Sequence, residues 1–287
     1  MDYCARTSRP TDIPWPGKNF RVGATALISS VEPAVPFPAV AELATLPWDG
    51  IDPKPGTVDV WSCCLEGTPS VLERCEAWLS DEERARAARL IRPQDRVRFS
   101  VSHGGLRAVL ARYVGVVPAA LRFGAGPGGK PFLLDAQGGH HALRFNLSHS
   151  HGRMLVAVTK GQEVGIDLEQ IRDNLEALKL GERFYAPAEY ERIRSGPVSE
   201  HALQFYRLWV AKEAFLKAQG TGIVSLQHCE ILSVPNLSRA SVRHTAESEL
   251  EEGWTVQWLS CGTGWQGAVC AYGQDWSVRV LDTALGR

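Results

Sequence analysis

An α+β fold is predicted for this 287-residue chain by three features of its patterning. Apolar residues at helical spacing mark two long stretches, 96–114 and 201–219, with Phe99, Leu106, Val109, Leu110 and Tyr113 forming the stripe of the first. Alternating, strand-like runs lie between these stretches at 144–169 and after them from 222 onward. Each half therefore offers a strand, then helices, then more strands. The length suits two lobes of about 120 residues each, or one large domain.

Taken in order, residues 1–57 hold nine of the 17 prolines. Fixed φ angles and missing N–H groups at that density prevent long regular elements, so an extended arm is expected, with Trp15, Phe37 and Trp48 as its anchors on the body. Residues 58–65 read as the first body strand. Ser80 and Glu83 have capping-box spacing and open a helix over 80–90 that carries Arg84, Arg86 and Arg89. The helical pattern of 96–114 is interrupted at His103–Gly104–Gly105, where a glycine pair lets a ligand or a neighbouring helix approach closely. Short strands at 121–123 and 131–134 flank a GAGPGG turn without the GxxxxGK[ST] spacing of a P-loop. A helix is expected over 174–191, a turn over 195–199, and a helix over 201–219 stopped by Gly220. The runs IVSLQHCEILSV, ASVRH, WTVQWLS, GAVCAY and WSVRVL then predict an antiparallel sheet packed by Trp254, Trp258, Trp265 and Trp276.

Composition narrows the class. Hydrophobic content of 44% and charged content of 22% are those of an ordinary soluble protein. Thirty-one basic against 32 acidic residues argue against bulk nucleic-acid binding. No apolar run of about 18 residues and no signal-peptide core are present, so neither a membrane span nor a secretory leader is expected. Seven scattered cysteines, with no CxxC pair and no zinc spacing, fit reduced thiols in a cytoplasm.

Three short stretches carry the chemistry. In VGIDLE (164–169), Asp167 and Glu169 leave the same face of a strand one pleat apart. They form either a solvated strand end or two carboxylates that repel until a cation separates them. In LWVAKEAFLKAQGTG (208–222), Glu213 and Lys217 are four apart and share a helix face, as a surface ion pair or as a third oxygen ligand beside a phosphate-binding lysine. Three carboxylates suit Mg²⁺ completed by waters and substrate phosphates. RFNLSHS (144–150) places Ser148 and His149 before an apolar strand, where a hydroxyl, an imidazole and turn amides hold a phosphate or serve only structure. Upstream, Lys130 stands between a glycine pair and Pro131.

The ordered set GKP, FNLSHS, GIDLE, FYAPAEY and LWVAKEAFLKAQGTG resembles the 4′-phosphopantetheinyl transferase superfamily, in particular its two-lobed surfactin-type branch and cyanobacterial relatives. The likeness runs from about residue 79 to residue 223. It implies two similar α+β lobes in a pseudo-twofold arrangement, with the active site in the cleft between them: a coenzyme A-binding lobe at 58–160 and a lobe at 161–287 carrying the metal site and carrier docking, while the proline-rich arm at 1–57 departs from the family pattern. It also implies Asp167, Glu169 and Glu213 as ligands of Mg²⁺ or Mn²⁺, with catalysis by Glu213, Lys217 and Asp167. Coenzyme A would be held by Arg86, Lys130, Pro131, Ser148, His149 and Lys217, with Arg89 and Arg92 as further candidates. Glu189 matches an acidic position near the metal, or is a surface glutamate. Docking is expected on 220–244, helped by Arg239 and Arg243. His151, directly after FNLSHS, departs from the pattern.

The resemblance implies transfer of the 4′-phosphopantetheine arm of coenzyme A, as co-substrate, to a serine of an apo acyl or peptidyl carrier protein. The enzyme would be a cytoplasmic monomer serving fatty-acid, polyketide or non-ribosomal peptide synthesis, with Glu213 as general base and Glu169 as its rival. Two other classes stay open. A Mg²⁺-dependent pyrophosphate hydrolase would share the carboxylates, although no REx₂EE run is present. A non-catalytic coenzyme A- or carrier-binding module predicts loss of a metal carboxylate or of Lys217, and all four are here.

Overall fold

The computed structural model describes residues 31–43, 50–172, 174–221, 223–233, 237–244 and 253–281. Trp15 and Trp48 lie outside the described residues. The chain runs α1 (Val40–Leu43), β1 (Thr57–Cys64), α2 (Pro69–Trp78), α3 (Asp81–Ala88), α4 (Pro93–Val114), β2 (Phe123–Ala125), β3 (Pro131–Leu133), β4 (Leu143–Ser150), β5 (Arg153–Lys160) and β6 (Val164–Gln170). It continues through α5 (Ala177–Phe184), α6 (Pro187–Ser195), α7 (His201–Gln219), β7 (Cys229–Ser233), β8 (Arg239–His244), β9 (Trp254–Leu259), β10 (Trp265–Tyr272) and β11 (Ser277–Leu281).

Two sheets follow from the strand alternation. The first has the order β11-β1-β5-β4 and the second β6-β10-β9-β8-β7. On β1, Val58 and Val60 face one side while Trp61 and Cys63 face the other. Val58, Val60, Leu155 and Ala157 of the first sheet pack against Val164, Ile166, Leu168 and Val269 of the second, so the sheets share a dry layer. The outer face of the first sheet is covered by α4 through Val101, Val109 and Leu110. The outer face of the second is covered by α7 through Leu208, Ala211, Ala214 and Phe215. The α+β fold expected from the sequence is thus built as two sheets, each with its own long helix.

Local signals explain the ends of these helices. Ser80 accepts a hydrogen bond from the Glu83 N–H (3.2 Å), and the Ser80 N–H donates to Glu83 Oε2 (2.8 Å), completing the expected capping box of α3. Gly220, at φ 75°, ends α7 with its N–H on the Leu216 carbonyl.

Three expectations are revised. The His103–Gly104–Gly105 stretch does not break α4, which runs unbroken for 22 residues. A Cβ on Gly104 would stand 2.5 Å from Cys75 Cβ, so this glycine is there for the approach of α2. The helix expected over 174–191 is two helices, because Tyr185 and Ala186 are extended and Pro187 starts a new one. The last strand does not join the second sheet: β11 pairs in parallel with β1, Val278 opposite Val58. Arg279 provides the reason, its Nε and Nη2 lying 2.7 and 2.6 Å from the two oxygens of the fully buried Asp59.

The proline-rich arm is extended over residues 31–39 and then forms the single turn of α1. Val35 N–H bonds the Ser260 carbonyl and Ser260 N–H bonds the Pro33 carbonyl, while Cys64 N–H bonds the Pro38 carbonyl. Phe37 packs under the Arg153 guanidinium at 4.5 Å, as expected of an anchor.

Candidate active site

The site forms where β6 lies between β4 and α7. Gly165 is the residue that permits it: a Cβ there would stand 1.9 Å from the Ala214 carbonyl oxygen and 2.4 Å from the Ala218 nitrogen. The alternation that sends Val164, Ile166 and Leu168 into the dry layer sends Asp167 and Glu169 to the opposite face, towards α7.

Asp167 is 3% exposed. Its Oδ1 accepts from Ser148 Oγ (2.8 Å) and Lys217 Nζ (2.5 Å), and Lys217 also donates to Ser148 Oγ (3.1 Å). Its Oδ2 is buried and, among the described residues, has no hydrogen-bond donor. Glu213, also buried, has an Oε1 in the same condition. Burial raises the Glu213 carboxyl to about 7; Asp167 and Glu169 add to the rise and Lys217 opposes it. Glu169 accepts from Ser150 Oγ at 2.8 Å, and burial followed by the Asp167 charge raises its carboxyl too. The three expected carboxylates thus feel one another. Among the described residues, no three His, Cys, Asp or Glu side chains are already arranged to hold a metal ion.

The expected nucleotide-binding residues fall into separate groups. Ser148 and His149 leave β4 on opposite faces, since they are neighbours on a strand. Ser148 belongs to the Asp167–Lys217 group, whereas His149 opens to solvent. Although one side of the ring meets water, partial burial of the imidazole, then the Lys217 and Arg98 charges, holds it below the usual value. Exposed Arg86 lies over the Phe99 ring at 5.5 Å, and Phe99 stacks on His103 at 3.8 Å. Burial is the main cause that lowers His103, and the Arg86 and His149 charges add to it.

Lys130 is engaged within the protein. Its Nζ donates to Glu163 Oε2 (2.7 Å), the Val164 carbonyl (3.2 Å) and the Ala218 carbonyl (2.7 Å), tying the β2–β3 hairpin to β6 and to the C-terminal end of α7. Pro131 is exposed at the start of β3. Arg239 donates to the Gln274 and Trp276 carbonyls, and Arg243 pairs with Glu230, so both are bound within or beside the second sheet.

Glu189 is neither at the carboxylate group nor on the surface. It is fully buried, 2.7 Å from the equally buried Lys212. Its oxygens also accept from the Ala186 and Ile231 N–H groups, and Lys212 donates to the Leu226 and Cys229 carbonyls. Sequence reasoning assigned no role to Lys212, Ser150 or Arg98. Ser150 was accessible from strand alternation, two residues beyond Ser148, but Lys212 needed the tertiary packing.

Comparison with known proteins gives the family. The model of the 4′-phosphopantetheinyl transferase superfamily matches residues 163–272, the span from β6 to β10 that includes Asp167, Glu169, Glu213 and Lys217. The chain is 38% identical to 4′-phosphopantetheinyl transferase HetI of Nostoc sp. over 215 residues, covering 73% of this chain and 90% of HetI. Identity to the slr0495 protein of Synechocystis sp. is 39%, over 57% of this chain and 65% of that protein. Identity to 4′-phosphopantetheinyl transferase Sfp of Bacillus subtilis is 30%, over 53% of this chain and 64% of Sfp. The family model and these relatives define the class, a phosphopantetheinyl-transferring one. The chain belongs to the 4′-phosphopantetheinyl transferase superfamily, as an enzyme that modifies carrier proteins.

Proposed function

We propose that the chain moves the 4′-phosphopantetheine arm of coenzyme A onto a serine of an apo acyl or peptidyl carrier protein, using Mg²⁺, or Mn²⁺, held by Asp167, Glu169 and Glu213. The carrying observation is the pair of buried carboxylate oxygens, Asp167 Oδ2 and Glu213 Oε1, that lack a hydrogen-bond donor. Buried anionic oxygens without a partner are costly, and a cation relieves both at once. An all-oxygen set that is incomplete by itself suits an ion that keeps waters and takes substrate phosphates. When bound, Mg²⁺ supplies charge neutralisation and polarisation of the pyrophosphate.

In the transfer, the carrier serine oxygen bonds to the β-phosphorus of coenzyme A. The phosphorus–oxygen bond to adenosine 3′,5′-bisphosphate breaks, its electron pair leaves with that product, and the serine proton passes to a base. Glu213 is assigned as that base, directly or through a water, because it sits one helical turn from Lys217 at the carboxylate group, with Glu169 as its rival. Lys217 balances charge on the phosphate as it moves to the leaving oxygen. Arg86 and His149 position the nucleotide from the α4 flank and Ser148 from the carboxylate side; at Lys130–Pro131 a phosphate would replace the half-exposed Glu163.

The division of labour expected from the sequence is part of the same proposal: coenzyme A on 58–160, the metal and carrier on 161–287, with 1–57 as an arm. So is monomeric, cytoplasmic action on fatty-acid, polyketide or non-ribosomal peptide carriers. Among the described residues no helix is long and apolar enough to cross a membrane.

The test is intact mass of two apo-carriers, one fatty-acid and one peptidyl, after incubation with enzyme, coenzyme A and Mg²⁺. A phosphopantetheine mass gain that disappears with EDTA and with Asp167→Ala is expected. No gain on either carrier, with coenzyme A still bound, would sink the proposal.

A further inference from the structure

Two edge strands meet at the site without pairing into one sheet. β4 ends the first sheet and β6 the second, and alternate β4 side chains cross the gap. Asn146 Oδ1 accepts from the Ile166 N–H (2.9 Å), Ser148 Oγ donates to Asp167 (2.8 Å), and Ser150 Oγ donates to Glu169 Oε2 (2.8 Å). All three side chains are buried. A side-chain ladder at 146, 148 and 150 thus takes the place of backbone pairing and sets β6 against the first sheet.

The last rung has a defined direction. A serine hydroxyl has one proton to give and two lone pairs to fill. The Gln170 N–H points at Ser150 Oγ from 3.4 Å, and His151 Nδ1 lies 3.1 Å away, where its N–H tautomer donates. The Glu169 carboxylate can only accept, so it takes the Ser150 proton, leaving the Gln170 N–H and the His151 Nδ1–H tautomer to fill the lone pairs. His151 holds its place at φ 50°, a conformation that side chains other than glycine seldom adopt.

We propose that Ser150 is a positioning residue: its hydroxyl fixes the orientation of Glu169 so that this long, flexible carboxylate is presented to the same cation as Asp167 and Glu213. The proposal rests on reading the carboxylates as a metal site. Partners that orient a ligand in this way govern metal affinity.

Mn²⁺ binding to the full chain, with coenzyme A present, is measured by the electron paramagnetic resonance signal of the free ion for the parent, Ser150→Ala, Ser150→Thr and Asp167→Ala. Ser150→Ala is expected to bind Mn²⁺ about tenfold more weakly. Its metal-free unfolding midpoint should fall by no more than roughly 3 °C, and Ser150→Thr should restore parent affinity. Parent-like affinity in Ser150→Ala, with binding lost in Asp167→Ala, overturns the positioning role and leaves the metal site standing. Failure of Ser150→Thr to rescue also overturns it. If the parent itself binds no Mn²⁺, the metal reading falls and this inference falls with it.

Discussion

At Asp167 the two carboxylate oxygens differ: Oδ1 takes Ser148 and Lys217, and Oδ2 takes no donor among the described residues. Asp167→Asn keeps the shape and loses the charge. Carrier modification by this variant is expected to fall by roughly 10³ in kcat/KM, measured by the rate of mass gain under matched Mg²⁺. Lys217→Ala should lose about 10²-fold in kcat with a smaller change in the KM for coenzyme A. His103 gives a residue-scale pH effect. Its burial, first among the causes, lowers it to about 4, so the folded state resists the proton that the unfolded chain accepts near 6.5. Stability is therefore intact above pH 6.5 and falls as pH drops towards 4, by an amount on the order of 3 kcal/mol. Urea midpoints across that window should show the decline, and His103→Gln should flatten it.

Between elements, the contact of α7 with β6 controls how the site is aligned. Gly165→Ala has no room for its methyl against the Ala214 carbonyl, so β6 must move and carry both carboxylates with it. A loss of about 2–3 kcal/mol is expected from overpacking, read by thermal unfolding, with activity falling further than stability. On the opposite side of α7, the Lys212–Glu189 pair fastens the helix to α6 and to the start of β7. Lys212→Met strands a buried carboxylate and should cost about 3–5 kcal/mol. Lys212→Met with Glu189→Leu removes both charges and should recover much of that loss. A double-mutant cycle that shows simple additivity would remove the pairing as the cause.

For the molecule as a whole, the two sheets are joined by segments distant in sequence. β11 returns to the first sheet, where Asp59 receives Arg279 and the Tyr113 hydroxyl, which in turn accepts from Trp61 Nε1 at 2.7 Å. Residues 32–38 cross in the other direction, from Arg207 of α7 through Ser260 to Cys64 of β1. Arg279→Ala leaves Asp59 buried with a single donor. It should lower global stability by roughly 2 kcal/mol, discounted because Arg279 is partly exposed. The urea transition should keep its slope as its midpoint falls if the two sheets unfold together.

The sequence alone determined whatever depends on short-range periodicity and local chemistry. The capping box at Ser80, the stop at Gly220, and the common face of Asp167 and Glu169 each follow from spacings of two to four residues, and all appear as expected. The ordered motifs likewise carried the family. Contacts between distant segments had no such signature. The burial of Glu189 against Lys212, the commitment of Lys130 to the end of α7, and the return of β11 to β1 each require knowing which surfaces meet. A glutamate on an amphipathic helix reads alike whether water or a lysine faces it. Only the tertiary structure puts the partner there, and burial then turns an ordinary charge into a fixed structural pair.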